Sequence, residues 1–369
     1  MRRDRWLTVA VALIVPLASC DLADITGADP NAPTHLSYQL IPSGDPNAPL
    51  GIILSWSVPS SGRAVAFDVF GRMSSNDDWA LRATTSSPSF HEVVAELQYY
   101  VAANDDQGYE LGETPAITVD LQSELPAPSG LHSISLNSAV QLEWSRNAVD
   151  ANPGAFSYYR VYSGSFDATH STCSSWNLEG STVSDAFLVA NLSNGVTRCY
   201  TVSAVSRDGH ESNWSSAVHD TPRYDARNVL VYSRDARADS SGFFFYDESS
   251  RRYGEIAAAT QSGVDFTIER HTDGTLWFKP SRTDVLMATY GTAAIPDLTS
   301  IDQAPVSALA SVTIEAVPGY GYVFSTHKSD GVHYGAARVA FVAQNYVVFD
   351  WSYQSAAGEI ELTRVSASR

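Results

Sequence analysis

The chain has 369 residues, of which 44% are hydrophobic and 11% aromatic, and its formal net charge at pH 7 is −18. This apolar content is sufficient for two or three packed domains and excludes a chain that is disordered throughout. The negative charge argues against binding to nucleic acid or to anionic lipid headgroups, because both repel an acidic surface. Solubility is the more general explanation of such a charge.

The first predicted element is a secretory signal. Arg2, Arg3 and Arg5 give a basic start, and an apolar run follows over residues 6–17. A basic start, a short apolar run and small residues before a cleavage point are the parts of a signal peptide. The run is shorter than the ~20 residues that span a bilayer. We therefore predict that residues 1–19 are removed on export, with a buried core helix as the alternative.

The signal ends in the tetrapeptide Leu-Ala-Ser-Cys, whose cysteine is Cys20. This motif resembles the lipobox of bacterial lipoproteins, in which the cysteine is acylated through its sulfur and becomes the new N-terminus. The resemblance implies lipid attachment at Cys20 and an anchor in the lipid bilayer. Two or more acyl chains hold firmly, because each buried CH₂ contributes ~0.8 kcal/mol. We expect an exported envelope protein, facing either the periplasm or the cell surface.

Removal of the signal takes away three Arg and one Asp, so the mature net charge becomes −20. Two cysteines remain beyond Cys20, namely Cys173 and Cys199. An even number of cysteines in an exported protein predicts a disulfide between them. Two buried free thiols are the alternative, and a zinc site has only His170 nearby in sequence.

The rest of the chain is predicted to be all-β. Short alternating runs rich in Val, Ile, Phe, Tyr and Trp are interrupted about every ten residues by turn formers, which is typical of sandwiches and barrels. Clusters of Pro and Ala mark the domain boundaries. The predicted segments are a signal peptide (1–19), a lipidated tether (20–32), two sandwich domains (33–122 and 124–222) and a C-terminal all-β domain (224–369).

The two sandwich segments show the same sequence motifs in the same order. Each begins with proline, continues with an apolar-x-Trp strand and an aromatic-rich strand, and closes with Tyr-x-Val-x-Ala and a glycine turn. The tryptophans are Trp56 and Trp144, and the closing motifs begin at Tyr99 and Tyr200. Because alternate residues of a strand face one side, Tyr, Val and Ala spaced by two form an inward stripe.

This order resembles the fibronectin type III domain, twice, over residues 33–222. The resemblance implies an immunoglobulin-like sandwich for each copy, with Trp56 and Trp144 filling the cores. It also places Tyr99 and Tyr200 at the corner that leads into their strands. Since Cys199 precedes the inward Tyr200, we expect its side chain to face outward. A disulfide from there would hold the predicted Cys173 loop on the surface of the sandwich.

The C-terminal segment is predicted to be a meander that closes into a sandwich or barrel. Asp273-Gly274 between alternating apolar runs is a strong hairpin signal. Asp330-Gly331 and Gln344-Asn345 mark further turns. The predicted strands are 229–232, 243–246, 266–270, 276–279, 312–314, 321–324, 337–342 and 346–351.

Residues 321–354 resemble the C-terminal strands of the HmuY-like haem-binding lipoproteins. The shared order is Tyr-Val, then an Asp-Gly turn, then a final strand with spaced aromatic residues. The strand after the turn carries Arg338 where the family has several lysines. The resemblance implies haem binding as one possible function, but no haem ligand is carried over to a position of this chain.

No motif of a nucleophile elbow, metalloprotease helix, phosphate loop or EF-hand is present. Three histidines near predicted turns, His271, His327 and His333, are candidates for metal or haem ligation, with ordinary surface histidines as the alternative. The acidic pairs Asp77-Asp78, Asp105-Asp106 and Asp247-Glu248 are interpreted as solvated loop charges rather than as glycosidase pairs. The aromatic residues Trp277, Trp351 and Tyr353 are expected to pack in the core rather than to bind sugars.

These observations favour a non-enzymatic binding or scaffolding protein without a cofactor. The two sandwiches would act as spacers that present the C-terminal domain to a glycan or protein partner, with no nucleic acid involved. An envelope enzyme that acts on glycans and a haem- or metal-binding lipoprotein are the alternatives. The identity of the ligand, the membrane and the oligomeric state are not encoded in any motif of the sequence.

Overall fold

The structure, a computed structural model, describes residues 29–363. The predicted signal and Cys20 lie outside the described residues, as does most of the predicted tether. The described chain consists of antiparallel strands with one short α-helix, Asn147–Ala151 (α1). The all-β fold class is thereby confirmed. No helix within residues 29–363 has the length and apolar character that crossing a membrane requires.

The chain divides into two compact units, each with its own internal contacts. The second sandwich and the C-terminal domain belong to the same unit. The first unit comprises the described residues up to Ser37 together with 54–90 and 96–119. The second unit comprises 38–53, 91–95 and the described residues from Asp120 onward.

The first immunoglobulin-like sandwich has eight strands. Trp56 is 6% exposed and contacts Phe67 edge to face, with ring centroids 5.5 Å apart. Tyr99, Val101 and Ala103 are fully buried, as the inward stripe predicted. Its strands are Thr34–Ile41 (β1), Gly51–Ser57 (β2), Ala66–Arg72 (β3), Ala80–Thr85 (β4), Ser89–Glu92 (β5), Gln98–Asn104 (β6), Glu110–Glu113 (β7) and Ile117–Thr118 (β8). They form the sheets β1-β2-β5 and β4-β3-β6-β7, with β8 paired to β6.

The second sandwich has seven strands and α1. Its core contains Trp144 against Tyr159 and the stripe of Tyr200, Val202 and Ala204. Its strands are His132–Leu136 (β9), Ala139–Glu143 (β10), Phe156–Asp167 (β11), Thr172–Thr182 (β12), Ala186–Ala190 (β13), Arg198–Ser206 (β14) and Val218–Asp220 (β15). They form the sheets β13-β10-β9 and β12-β11-β14-β15.

Cys173 and Cys199 form the predicted disulfide, with Cα atoms 5.9 Å apart. The prediction that Cys173 lies in a loop was wrong, because β11 and β12 pair as a long hairpin and Cys173 is part of β12. Cys199 alternates with the core residue Tyr200 on β14 and so faces outward. It is nevertheless 0% exposed, because β11 and β15 flank β14 and the disulfide covers this face.

The C-terminal domain is a sandwich of two five-stranded sheets rather than a barrel. Short 3₁₀ helices occur at Ala238–Ser240, Leu298–Ser300 and Val306–Ala308. The strands are Tyr224–Tyr232 (β16), Gly242–Asp247 (β17), Arg252–Ala257 (β18), Phe266–Arg270 (β19), Leu276–Pro280 (β20), Leu286–Tyr290 (β21), Ile314–Glu315 (β22), Gly321–Lys328 (β23), Gly331–Val342 (β24) and Tyr346–Tyr353 (β25). Their order is β16-β25-β24-β23-β21 in one sheet and β18-β17-β19-β20-β22 in the other.

The core between these two sheets is aromatic. Phe243 and Phe245 of β17 contact Phe266 of β19 and, from the opposite sheet, Phe324 and Phe349 at centroid distances of 5.1–5.9 Å. Edge-to-face and offset contacts of this kind stabilise a core beyond the area they bury. The predicted hairpin turn at Asp273-Gly274 joins β19 to β20, as expected.

Two strands of this domain were missed by the sequence analysis, namely β18 and β21. β18 is an edge strand whose burial pattern does not alternate, so it lacks the period-2 signal. The predicted strand 312–314 is reduced to β22, because only residues 314 and 315 pair with β20. The other predicted strands of the domain are present and generally longer than expected.

A polar seam joins the second sandwich to the C-terminal domain within their common unit. Arg223, which is 0% exposed, donates from Nη2 to Thr363 Oγ1 at 3.0 Å and from its backbone N–H to the carbonyl of Leu136. Ser135 donates its backbone N–H to the carbonyl of Thr363, and Gln354 Nε2 donates to the carbonyl of Thr221. The seam is therefore built from buried, hydrogen-bonded polar groups rather than from an apolar patch.

The seam also contains two acidic side chains, Asp220 and Glu361. Asp220 is 0% exposed and accepts from the hydroxyl of Ser135, yet its Oδ2 has no partner within the described residues, and neither has Glu361 Oε1. Burial, followed by the charge of Asp220, raises the pKa of Glu361 to about 9. Burial also raises the pKa of Asp220 and lowers that of Arg223 to about 10.

Candidate functional site

A concave surface of the C-terminal domain consists of two adjoining cavities that share Tyr246 and Glu248, here called the Tyr246 cleft. Their volumes, about 380 and 490 Å³, lie within the range of ~300–1,000 Å³ common for small-ligand sites. The first cavity is also lined by Gln261, Ser262, Arg282 and Lys328, and the second by Arg251, Ser329 and Asp330.

The cleft lies at one end of the sandwich, where strands of both sheets begin or end. Tyr246 and Asp247 close β17, and Gln261 to Gly263 precede β19, which begins beside β17. Lys328 closes β23 in the opposite sheet. Because strand ends and their turns meet here, polar side chains gather above the aromatic core instead of continuing it.

A column of three stacked tyrosine rings ends at the cleft, and its outer ring, Tyr246, lines both cavities. Tyr246 stacks on Tyr253 with ring centroids 4.5 Å apart, and Tyr253 stacks on Tyr224 at 3.4 Å. Burial, followed by the neighbouring Tyr224, raises the pKa of Tyr253, the middle ring of the column. The ring of Tyr246 is thus held in place by its contact with Tyr253.

A buried ion-pair network lies behind the first cavity. Asp265, which is 0% exposed, accepts from Lys328 Nζ at 3.0 Å and from the backbone N–H of Phe245 at 2.9 Å. Arg282 Nη2 lies 3.5 Å from the same carboxylate, and Arg282 Nη1 donates to the carbonyl of Gly263 at 2.8 Å. Burial raises the pKa of Asp265, and the ammonium of Lys328 opposes that shift. Both cations of the cavity therefore have a carboxylate partner.

The carboxylates that line the cleft are ionised at neutral pH. Burial alone would raise the pKa of Asp247, but hydrogen bonds from Ser249 and Ser250 outweigh it and lower the pKa. The hydrogen bond from Ser329 lowers the pKa of Glu248, and that from His333 lowers the pKa of Asp330. No carboxyl group lining the cleft is therefore held in the protonated form.

Four polar groups of the cleft are free to bind a ligand. Within the described residues, the Tyr246 hydroxyl, the Arg251 guanidinium, the Gln261 amide and the Ser262 hydroxyl have no hydrogen-bond partner in the protein. They provide both donors and acceptors. Sequence reasoning named Asp247 and Glu248 only as loop charges and gave no site role to the other lining residues, since they come from separate turns that carry no common motif.

The structure corrects part of the interpretation of the acidic pairs. Asp247 is 6% exposed and lies at the end of β17, so it is not a solvated loop charge. Glu248 is exposed in the following turn, as expected. The pairs Asp77-Asp78 and Asp105-Asp106 lie in the connections between β3 and β4 and between β6 and β7.

The three candidate histidines do not converge. His271 stacks on Trp277 with centroids 4.2 Å apart, and His327 Nδ1 lies 3.4 Å from the carbonyl of Asp284. His333 is 3% exposed, with Nε2 2.8 Å from Asp330 Oδ1. Within residues 29–363, no group of three or more His, Cys, Asp or Glu side chains is placed to hold a metal ion.

Two of the three aromatic residues expected in the core are there. Trp351 is 4% exposed and Tyr353 is 1% exposed in the cluster between the sheets. The prediction for Trp277 was wrong. It alternates on β20 with the buried Leu276 and Phe278, so its ring lies on the outer face and stacks on a histidine instead.

A smaller cavity of about 290 Å³ in the first unit is lined by Trp79, Tyr100 and Glu113. Its rings are already occupied by protein groups. Phe70 stacks on Tyr100 at 4.7 Å, and the guanidinium of Arg72 lies 4.2 Å above Trp79. The aromatic faces available to a ligand are correspondingly reduced, so this cavity is the weaker candidate.

Glu211, a buried acid outside the cleft, has a structural role. It is 3% exposed and accepts hydrogen bonds from Arg160 Nη1 at 2.9 Å, from the hydroxyl of Tyr162 and from the backbone N–H of Gly44 at 2.7 Å. These bonds fix residues 38–53 to the second sandwich within their common unit.

No family model matches the chain, and no curated protein matches it. Similar solved structures include the FN5 domain of Drosophila Lar, at 16% identity and a TM-score of 0.21 over 27% of this chain and 96% of that chain. An Fn3-like protein from Clostridium thermocellum shares 22% identity, with a TM-score of 0.21 over 28% of this chain and 100% of that chain. A myokine structure shares 18% identity, with a TM-score of 0.21 over 27% of this chain and 99% of that chain. The fold assignment rests on strand order and core packing.

Proposed function

We propose that the protein is a membrane-anchored lipoprotein of the cell envelope with a non-enzymatic binding role. In this proposal Cys20 carries the lipid, the fibronectin type III-like sandwiches act as spacers, and the C-terminal domain binds the ligand in the Tyr246 cleft. The observation that carries the proposal is the convergence of an immobilised aromatic ring and four unpartnered polar groups on two adjoining cavities.

The charge states of the cleft favour binding over hydrolysis. A glycosidase needs one protonated carboxyl group with a raised pKa beside a second, ionised one. The pKa values of Asp247, Glu248 and Asp330 are all lowered, so none of them is a suitable general acid. Asp265 has a raised pKa, but Lys328 and Arg282 hold it behind the cavity wall.

Hydrogen–deuterium exchange of the soluble chain that begins at Asp21 tests the proposal. The chain is mixed with glycan, peptide and small-molecule fractions of a bacterial envelope extract. We expect one fraction to slow exchange in the turn after β17, in residues 261–263 and in residues 328–330. The whole soluble chain is used because the seam holds the C-terminal domain to the second sandwich.

The variant Gln261→Ala provides the specificity control, since the Gln261 side chain is exposed and has no partner among the described residues, and we expect its removal to leave the fold intact. We expect this variant to show weaker protection by the active fraction. Failure of every fraction to protect the cleft, or protection restricted to other parts of the chain, would contradict the proposed site.

A further inference from the structure

The available ring of the cleft suits a ligand with an apolar face. Tyr246 is packed on Tyr253 at 4.5 Å, so little conformational entropy is lost when a second flat surface contacts it. Tyrosine combines an apolar ring with a polar hydroxyl, and this hydroxyl has no partner in the protein. The pyranose ring of a sugar has the complementary form, with C–H groups on its face and hydroxyl groups on its rim.

The charges of the cleft argue against an anionic ligand. The first cavity is lined by the carboxylates of Asp247 and Glu248 as well as by Arg282 and Lys328. In the second, Glu248 and Asp330 face the single cation Arg251. Carboxylates of the second cavity repel an anion, and the cations of the first are already paired with Asp265. Neither cavity therefore provides the concentrated positive charge that captures an anion.

The unpartnered groups are suited to hydroxyl groups of a ligand. A sugar hydroxyl both donates and accepts hydrogen bonds. The Arg251 guanidinium donates, and the Tyr246 hydroxyl, the Gln261 amide and the Ser262 hydroxyl do both. Because the two cavities adjoin at Tyr246, they can receive consecutive units of a chain.

We propose that the Tyr246 cleft binds a neutral oligosaccharide, with one sugar unit against the Tyr246 ring and its neighbours in the two cavities. This inference rests on the proposed function and narrows it to one class of ligand. The calorimetric test below distinguishes a charged glycan from a neutral one. A peptide ligand would instead be found among the peptide fractions of the hydrogen-exchange experiment.

Isothermal titration calorimetry of the soluble chain from Asp21 tests the inference. The probes are cellohexaose, maltohexaose, xylohexaose, mannohexaose and hexa-N-acetylchitohexaose, with hexagalacturonate as the charged counterpart. We expect at least one neutral hexamer to bind, and hexagalacturonate to bind at least tenfold more weakly than that hexamer. Equal or tighter binding of hexagalacturonate overturns the inference, as does a complete absence of binding by the neutral probes.

Three variants locate the binding. Tyr246→Ala removes the ring, and we expect a dissociation constant at least tenfold higher, as for an aromatic anchor. Gln261→Ala removes one hydrogen-bonding group and should raise it by roughly three- to tenfold. Tyr109→Ala removes a tyrosine that is 72% exposed elsewhere and should leave the affinity unchanged. Near-UV circular dichroism checks that each variant is folded.

The outcomes separate this inference from the function on which it rests. If an envelope fraction protects the cleft but no neutral hexamer binds, the ligand class is wrong and the binding site stands. If a neutral hexamer binds unchanged to both Tyr246→Ala and Gln261→Ala, the site itself is wrong, and with it both proposals. Loss of binding in Trp79→Ala instead would assign the sugar to the cavity of the first unit.

Discussion

Glu361 is a residue at which solvent pH acts directly on the stability of the fold. Its pKa is raised to about 9 in the folded protein, from an ordinary value of 4.5. The folded state therefore holds a proton that the unfolded state releases at neutral pH. The resulting stabilisation is complete below pH 4.5 and is lost as pH rises through about 9. The raised pKa of Asp220 contributes in the same direction.

We predict that the urea midpoint of the soluble chain decreases as the pH is raised from 6 to 9. In Glu361→Gln this decrease should be smaller. The amide keeps the size of the side chain but cannot ionise. Urea titrations followed by tryptophan fluorescence measure the midpoint. Glu110→Gln, at an exposed position, should leave the pH dependence as in the original chain. If the urea midpoint decreases equally with pH in Glu361→Gln and in the original chain, Glu361 is not the group responsible for the decrease.

Single residues also show how far sequence reasoning reaches. Trp56, Trp144, Tyr99 and Tyr200 are in their cores as predicted, because period-2 alternation determines which side of a strand a residue faces. Trp277 was assigned to the buried face of β20, but its neighbours Leu276 and Phe278 occupy that face. Because all three residues are apolar, the sequence does not distinguish the two faces here. A single apolar run does not reveal which of its alternating positions is buried.

At the scale of elements, β18 depends on a glycine. Gly254 has φ +70°, and a Cβ placed there would lie 2.1 Å from Trp351 Cζ2 on the facing sheet. The tryptophan ring belongs to the buried core, so it cannot move away without loss of packing. Glycine at this position therefore permits both the backbone conformation and the contact between the sheets.

We predict that Gly254→Ala destabilises the C-terminal domain by roughly 2–4 kcal/mol, from overpacking and left-handed strain together. The matched variant is Gly274→Ala, which has φ +89° but no heavy atom within 4 Å of the added Cβ. It should cost only about 1–2 kcal/mol. Chemical denaturation of both variants measures the difference, and equal losses would show that the contact with Trp351 is unimportant.

The disulfide connects β12 to β14, which are separated in their sheet by β11. We predict that the double variant Cys173→Ala, Cys199→Ala lowers the free energy of unfolding by roughly 3–4 kcal/mol, from the loop-closure entropy that the unfolded chain regains. Denaturation with and without reductant measures this. Reductant should bring the original chain to the level of the variant and leave the variant itself unchanged.

Elements and sites differ in how well the sequence predicts them. Long strands with clear alternation, such as β23, β24 and β25, could be located from the sequence. The cleft could not, because its lining residues come from four separate turns and strand ends that meet only in the folded sandwich. Their spacing along the chain has no period, and the residue types are those of ordinary surface turns.

At the scale of the whole molecule, the proposed role depends on the lipid anchor. We predict that Cys20→Ser moves the protein from the membrane fraction to the soluble fraction, because the serine hydroxyl provides no thiol for acylation. Fractionation of cells that express each form, followed by intact-mass measurement, tests this. A serine variant that stays with the membrane, or an original chain without added lipid mass, would contradict the anchor and the spacer role together.

The tyrosine column has a consequence beyond ligand contact. Its inner ring, Tyr224, directly follows Arg223, and its outer ring, Tyr246, lines the cleft. Under the proposed function, a ligand that shifted Tyr246 would press in turn on Tyr253 and Tyr224, and Tyr224 is bonded to the buried Arg223 of the polar seam. The ultraviolet absorption of these three phenol rings would then report on the cleft and the junction together.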